Sequence, residues 1–331
     1  MAGTYEISNE DCLTFLAKLP DKSVNLVLCD PPYGITAAKD WDNGLRWNEL
    51  WPEIHRILAP KGAVALFSSS KFTFELVNTN LKEFRYKYVW VKNLTSGHLN
   101  AGRMPMRMYE EINIFYPKQC AFYPQRTSGH KKNGIRRGGE CYGQSTYQGY
   151  VKTDWLDTDG TRAPKDVLKF NAIQGFKKLH PSEKPTELLE HLIKTYTQEG
   201  ETVLDFCMGS GSTGEACYNT NRHFVGCELS EDFYTMAKTR LELLPYPERY
   251  QAYIKTHPLK ALKRKAAIEP GGGAIMVPSC TDAVLTGAND VIEYSDKYRK
   301  RTAIRDNPGS RALAQEEASH RFSLYGKMTF H

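Results

Sequence analysis

Apolar positions along the chain recur with two periods, and the switch between them marks out alternating strands and helices. Val24–Cys29 (VNLVLC) is a short, nearly continuous apolar run, the pattern of a strand covered on both faces. Trp47, Leu50, Trp51, Ile54, Ile57 and Leu58 fall at helical spacing, and Pro60-Lys61-Gly62 breaks that helix. Tyr5–Ile7, Ala63–Phe67, Tyr86–Val91 and Ile112–Tyr116 read as strands, Asp11–Leu19 and Phe72–Leu81 as helices. Periodicity fails over residues 118–178 and resumes at Pro181. Leu188, Leu189, Leu192, Ile193 and Tyr196 form the stripe of a helix over Glu187–Tyr196, with Gly200 as its expected C′ residue. Strands over Thr202–Cys207 and Phe224–Cys227, a short helix from Thr213 and a helix capped by Ser230 complete the series, which Pro245 and Pro247 end. Such alternation predicts an α/β fold.

The chain has 331 residues, enough for one large α/β domain with insertions or for two domains. No stretch approaches the roughly 20 apolar residues of a membrane span. The N-terminus lacks the basic and apolar regions of a secretory signal, so a cytoplasmic location is expected. Eight cysteines are scattered without a CxxC pair or zinc spacing; buried reduced thiols and no metal site are expected.

Charge sharpens the picture of the middle segment. Residues 118–180 hold 12 Lys and Arg against 5 Asp and Glu, in a chain whose net charge is +6. Residues 251–331 hold 13 against 8. Basic charge is thus segregated into two segments, as a nucleic-acid partner would favour and as a solvated basic surface would also show. The first interleaves its cations with aromatics such as Tyr142, Tyr147 and Trp155. The expected organisation is a first catalytic half over 1–117, a basic insert over 118–179, a second half over 180–246 and an extension over 247–331. The extension contains Gly271–Gly273 and the basic cluster Lys297–Arg301 but no readable function.

Two motifs carry chemistry. Asp30-Pro31-Pro32-Tyr33-Gly34 follows the buried strand Val24–Cys29, at the sheet edge where open α/β folds bind ligands. The lone pair of an exocyclic base amine is delocalised into the ring, so the nitrogen is a poor nucleophile. Acceptors on its two N–H groups help it become tetrahedral. The Asp30 carboxylate and the Pro31 carbonyl can supply them as fixed dipoles, and Tyr33 can stack on a base removed from the duplex. A plain turn after a strand is the bland reading. The second motif, Asp205-Phe206-Cys207-Met208-Gly209-Ser210-Gly211-Ser212-Thr213, is a strand, glycine turn and helix start. Glu228 follows Gly211 by 17 residues, at the end of the next strand. An acidic residue there can accept hydrogen bonds from both ribose hydroxyls of a nucleoside cofactor. Gly214 completes a GxGxxG count, so a nicotinamide-dependent oxidoreductase stands as a rival.

Taken together, these motifs and the segment His180-Pro181-Ser182-Glu183-Lys184-Pro185 resemble the amino-group DNA methyltransferases. Their order resembles the β group: catalytic motif, target-recognition region, cofactor motif. The resemblance covers roughly residues 4–244, with echoes at Trp41-Asp42 and Val89-Trp90-Val91-Lys92. It implies a Rossmann-like methyltransferase fold, a mostly parallel seven-stranded sheet with an antiparallel strand, and S-adenosylmethionine as cofactor. It further implies that Asp30, Pro31, Pro32 and Tyr33 hold the target base. Asp205, Met208, Gly209, Ser210, Gly211, Ser212 and Glu228 would bind the cofactor, Lys184 would lie beside its methionine end, and Asp11 matches a nearby position. Arg126, Lys131, Lys132, Arg136 and Arg137 are the expected DNA contacts. Aspartate at the first catalytic position leans toward adenine N6, serine being commoner in cytosine N4 enzymes of the family. Phe206 and Cys207 depart from the usual Pro and Phe. The implied partner is double-stranded DNA; a homodimer and a partner restriction endonuclease are left open. An inactive DNA-binding module, an RNA substrate and cytosine N4 remain alternatives.

Overall fold

The computed structural model describes residues 3–34, 44–130, 134–136, 155–157, 159–174, 178–180 and 182–256, for the strands 134–136 and 155–157 by backbone alone. Trp41-Asp42, Lys131, Lys132, Arg137 and the basic cluster Lys297–Arg301 lie outside them.

Ten strands and seven α-helices follow in the order β1 (Tyr5–Ser8), α1 (Cys12–Lys18), β2 (Val24–Cys29), α2 (Trp47–Ile57), β3 (Leu58–Ser68), α3 (Lys71–Thr79), β4 (Phe84–Ser96), β5 (Arg107–Phe115), β6 (Gly134–Arg136), β7 (Trp155–Asp157), β8 (Val167–Lys169), α4 (Thr186–Tyr196), β9 (Thr202–Asp205), α5 (Ser212–Asn219), β10 (His223–Cys227), α6 (Glu231–Leu243) and α7 (Pro247–Thr256) among the described residues. Eight strands form one sheet in the order β1-β10-β9-β2-β3-β5-β4-β8. The neighbours from β1 to β3 are all parallel, and β5 runs antiparallel to both β3 and β4. The mostly parallel sheet with an antiparallel strand is as expected. It has one strand more than the seven anticipated: β8, three residues long, pairs with β4 from within the aperiodic segment.

Alternation along the central strands builds two cores. Leu26 and Leu28 of β2 join Ala63, Ala65 and Phe67 of β3 on one face, under α4, α5, α6 and α7. Val24, Val27 and Cys29 join Val64 and Leu66 on the other, under α1, α2 and α3. The period of two sends successive side chains to opposite layers, which is why β2 reads as a continuous apolar run.

Local chemistry sets the boundaries. The Pro60-Lys61-Gly62 break appears as a bulge, since the β2–β3 register shifts between Val24 and Leu26. β9 stops at Asp205 rather than Cys207 because the Asp205 carboxylate accepts the Cys207 N–H at 3.1 Å and turns the chain. Gly200 does not cap α4. The helix ends at Tyr196 with Thr197 as its C-cap, and Gly200 (φ 78°) instead donates to the Asn221 carbonyl across a later turn. Ser230 occupies the N-cap of α6 but makes no side-chain cap; its N–H donates to Glu228. Pro247 starts α7, as proline's fixed φ allows at a first helical turn.

The basic segment is stitched to the body at both ends. The Tyr123 N–H donates to the Thr195 carbonyl, Cys120 is buried, and Leu168 of β8 is buried beside β4. The six cysteines among the described residues are free thiols, four of them buried. No described helix is long and apolar enough to cross a membrane.

Candidate active site

β2 and β9 are adjacent and parallel, although 172 residues lie between Cys29 and Thr202. From β2 the chain proceeds toward β3, and from β9 it proceeds toward β10 on the opposite side. The loops leaving their C-terminal ends therefore part, and the gap between them is the topological switch point of the sheet. A cleft of about 910 Å³ opens there.

On one wall stands the Asp30 motif. The Tyr33 hydroxyl donates to Asp30 Oδ1 at 2.7 Å, and the Tyr33 ring stacks on Phe72 at 4.8 Å. Lys184 Nζ donates to Asp30 Oδ2. Burial pushes the Asp30 carboxyl above its usual range, against the pull of Lys184. Burial also opposes the Lys184 charge, but Asp30 and Glu110 outweigh it and hold the ammonium above its ordinary pKa. The Pro31 carbonyl accepts no backbone hydrogen bond among the described residues.

On the other wall stands the glycine turn. Gly209 (φ 53°) and Gly211 (φ 78°) take left-handed conformations that a side chain would strain. Gly209 N–H donates to Glu228 Oε2, and Ser230 N–H to Glu228 Oε1, both at 2.9 Å. Glu228 thus fastens β10 to the turn while facing the cleft. Asp205 accepts the Thr213 hydroxyl at 2.7 Å, and burial pushes its carboxyl up to about 6. Gly214 does not face the cleft; it admits Phe224 and Leu241, which would lie within 2.8 Å of a Cβ there. Its place in the GxGxxG count is one of helix packing.

Twelve of the thirteen catalytic and cofactor residues expected from sequence line this one cleft: Asp30, Pro31, Pro32 and Tyr33; Lys184; Asp11; and Asp205, Met208, Gly209, Ser210, Ser212 and Glu228. Gly211 does not line it but packs its α-carbon against Ala237. Asp11 also caps α1, accepting the Leu13 N–H at 3.0 Å. Phe206 is fully buried in the core, and Cys207 is partly buried at the rim. Arg126 is exposed and bonds Thr161 at 2.8 Å. Arg136 lies in β6, paired with Trp155 of β7.

Three further side chains were not legible as site residues. Glu110 of β5 and Lys92 of β4 pair at 2.6 Å on the cleft wall. Arg240 of α6 is buried and binds Glu183 at 2.7 Å, Glu215 at 2.7 Å and the Ser210 carbonyl at 3.1 Å. It ties the segment bearing Lys184 to the glycine turn and α5. The sequence offers only the echo ending at Lys92, a place just ahead of a strand for Glu110 and a place within a helix for Arg240.

The arrangement sets a half-buried carboxylate across one cleft from a glycine turn and a second carboxylate. Comparison with known proteins agrees with it. A family model described as DNA methylase, of the N6 and N4 methyltransferases, matches residues 24–239. The chain is 26% identical over 254 residues to the DNA adenine methyltransferase YhdJ of Escherichia coli K12, covering 72% of this chain and 82% of that one. It is 25% identical over 245 residues to the type II methyltransferase M.HpaI of Haemophilus parainfluenzae, covering 69% and 71%. Its fold is similar to that of the M1.HpyAVI–SAM complex (TM-score 0.50, 21% identity, 72% of this chain and 100% of that chain). It is also similar to the PvuII cytosine-N4-specific DNA methyltransferase (TM-score 0.51, 15% identity, 78% and 94%). The chain belongs to the DNA methylase family of N6 and N4 methyltransferases.

Proposed function

We propose that the protein methylates adenine N6 in double-stranded DNA, with S-adenosylmethionine as donor. The observation that carries this reading is the shared cleft, in which Asp30 faces the glycine turn and Glu228. The donor set fits a nucleoside cofactor: a left-handed glycine turn, an acidic residue ending the next strand, and apolar Leu229 and Phe233 beside it. A volume of about 910 Å³ is at the upper end of small-molecule sites, room for a cofactor and a base together. When bound, S-adenosylmethionine supplies a methyl group activated by its sulfonium. Glu228 and the turn from Asp205 to Ser212 would hold it. Asp30 and the Pro31 carbonyl would accept the two amine hydrogens, turning the nitrogen lone pair toward the methyl. Tyr33 would stack on the flipped base. Aspartate at position 30 and the adenine-specific relative favour adenine over cytosine N4.

The basic segment 118–179 serves as the target-recognition region in this reading, with Arg126, Lys131, Lys132, Arg136 and Arg137 on phosphates or guanine edges. A cytoplasmic location accords with a DNA substrate. The test is to incubate the protein with methyl-labelled S-adenosylmethionine and mixed-sequence DNA, then digest to nucleosides. Label in N6-methyl-2′-deoxyadenosine is expected. Label in N4-methyl-2′-deoxycytidine would replace the base assignment, and no label in DNA would overturn the reading.

A further inference from the structure

Each oxygen of the Asp30 carboxylate already accepts one donor among the described residues. Tyr33 donates to Oδ1 and Lys184 to Oδ2. A base amine that binds there must share or displace one of them. The Tyr33 ring is locked against Phe72, whereas Lys184 carries its ammonium on a four-carbon stem. A buried ammonium that leaves one carboxylate needs another acceptor, because an unpaired charge in the interior is costly.

One acceptor stands ready. Glu110 Oε2 is buried, lies at the edge of reach of Lys184 Nζ in a long ion pair of 3.5 Å, and has no closer donor among the described residues. Its sister atom Oε1 is engaged by Lys92 at 2.6 Å. A buried carboxylate oxygen with only a distant ammonium for a partner is rare enough to demand a reason. We infer that Glu110 Oε2 is the second seat of the Lys184 ammonium: when the target amine takes Asp30, Lys184 moves onto Glu110, and this exchange opens the carboxylate to the base. The inference rests on the proposed base methylation and deepens it. Glu110 is a positioning residue, acting through Lys184.

The charges facing Lys184 make the exchange nearly neutral. Asp30 reaches it from the end of β2, Glu110 from β5 and Lys92 from β4 through Glu110; Lys178 adds a further cation, and Glu183 is held by Arg240. Moving the ammonium between two carboxylates in one cluster changes no net charge. The carbonyl of Ser182, 3.3 Å from Nζ, stays within reach as a fixed guide.

Glu110→Gln retains shape but offers one acceptor oxygen for two ammonium groups. With Lys92 keeping that oxygen, the methyl-transfer rate constant should fall by roughly 100-fold, the scale of a misplaced reacting group, while S-adenosylmethionine affinity and thermal midpoint stay near wild type. The same substitution in a Lys184→Met background should cost little further, since no ammonium is left to move. Equal losses in both backgrounds, or no loss in wild type, would overturn the inference. A second measurement does not depend on variants: a crystal structure with a target oligonucleotide and S-adenosylhomocysteine should show Lys184 Nζ on Glu110 and off Asp30. Lys184 still on Asp30 Oδ2 beside a bound base would contradict it. A wild-type protein that methylates no DNA would overturn the functional reading and this inference with it, a result distinct from either failure above.

Discussion

The two walls of the cleft are held by different means. On the wall of the glycine turn, Glu228 binds backbone N–H groups of Gly209 and Ser230, and Arg240 joins the Ser210 carbonyl to Glu183 and Glu215. On the Asp30 wall, the carboxylate is held, among the described residues, by side chains alone, the Tyr33 hydroxyl and the Lys184 ammonium. Backbone partners fix a turn in one shape; side-chain partners can be exchanged. A nucleoside cofactor suits a preformed cradle, since preorganisation lowers the cost of binding. A base that must leave a duplex suits a carboxylate whose partners can yield to it.

The contrast can be broken most severely at Arg240. Arg240→Met removes one cation from two carboxylates with little exposure, Glu183 and Glu215, and should cost roughly 3–5 kcal/mol of folding stability, as breaking a buried ion pair does. The loss is read from the shift of a urea midpoint; a change under about 1 kcal/mol would mean that the hub is ornamental.

Asp205 sharpens the comparison through pH. Its carboxyl is pushed up to about 6 from an ordinary 3.8 by burial, because the folded state disfavours the charge. Its contribution to stability is therefore fully present below the unfolded value and is lost as pH rises through about 6. The shift corresponds to roughly 3 kcal/mol at most. Asp205→Asn should flatten the pH dependence of the urea midpoint between pH 4 and 6; an unchanged slope would assign that dependence elsewhere.

The smallest effect per residue belongs to the cations of the basic segment, a segment that reaches the cleft through Ala172, Ile173 and Lys178. Replacing Arg126, Lys131, Lys132, Arg136 and Arg137 by alanine should weaken DNA binding. It should also flatten the salt dependence of affinity by roughly 0.9 in log–log slope for each phosphate no longer neutralised. An unchanged slope would return these cations to plain solvation.

The contrast also explains what was legible. The apolar run of β2 followed by Asp-Pro-Pro-Tyr, and β9 followed by its glycine turn, are local patterns, so both loops and the α/β class can be read directly. Their meeting is a matter of sheet order, which no window of sequence contains; it was reachable only through the family resemblance. β8 escaped because three residues give no period. Lys92 and Glu110 fall just outside the strands read over Tyr86–Val91 and Ile112–Tyr116, Lys92 entering only as the end of a family echo, and Arg240 lies within a helix, because their roles come from partners brought from other elements. Glu228 can be singled out from its place after β10, and its carboxylate also braces the backbone of the turn it faces.

The central claim is that two segments far apart in the chain build one site with divided labour. It is tested most directly by measuring S-adenosylmethionine affinity and methyl transfer side by side for Asp30→Ala and Glu228→Ala. The account predicts that Asp30→Ala binds the donor as wild type does while transfer falls by at least about 100-fold, and that Glu228→Ala loses donor affinity first. Parallel loss of binding and transfer in both variants, or donor affinity lost only at Asp30, would contradict it.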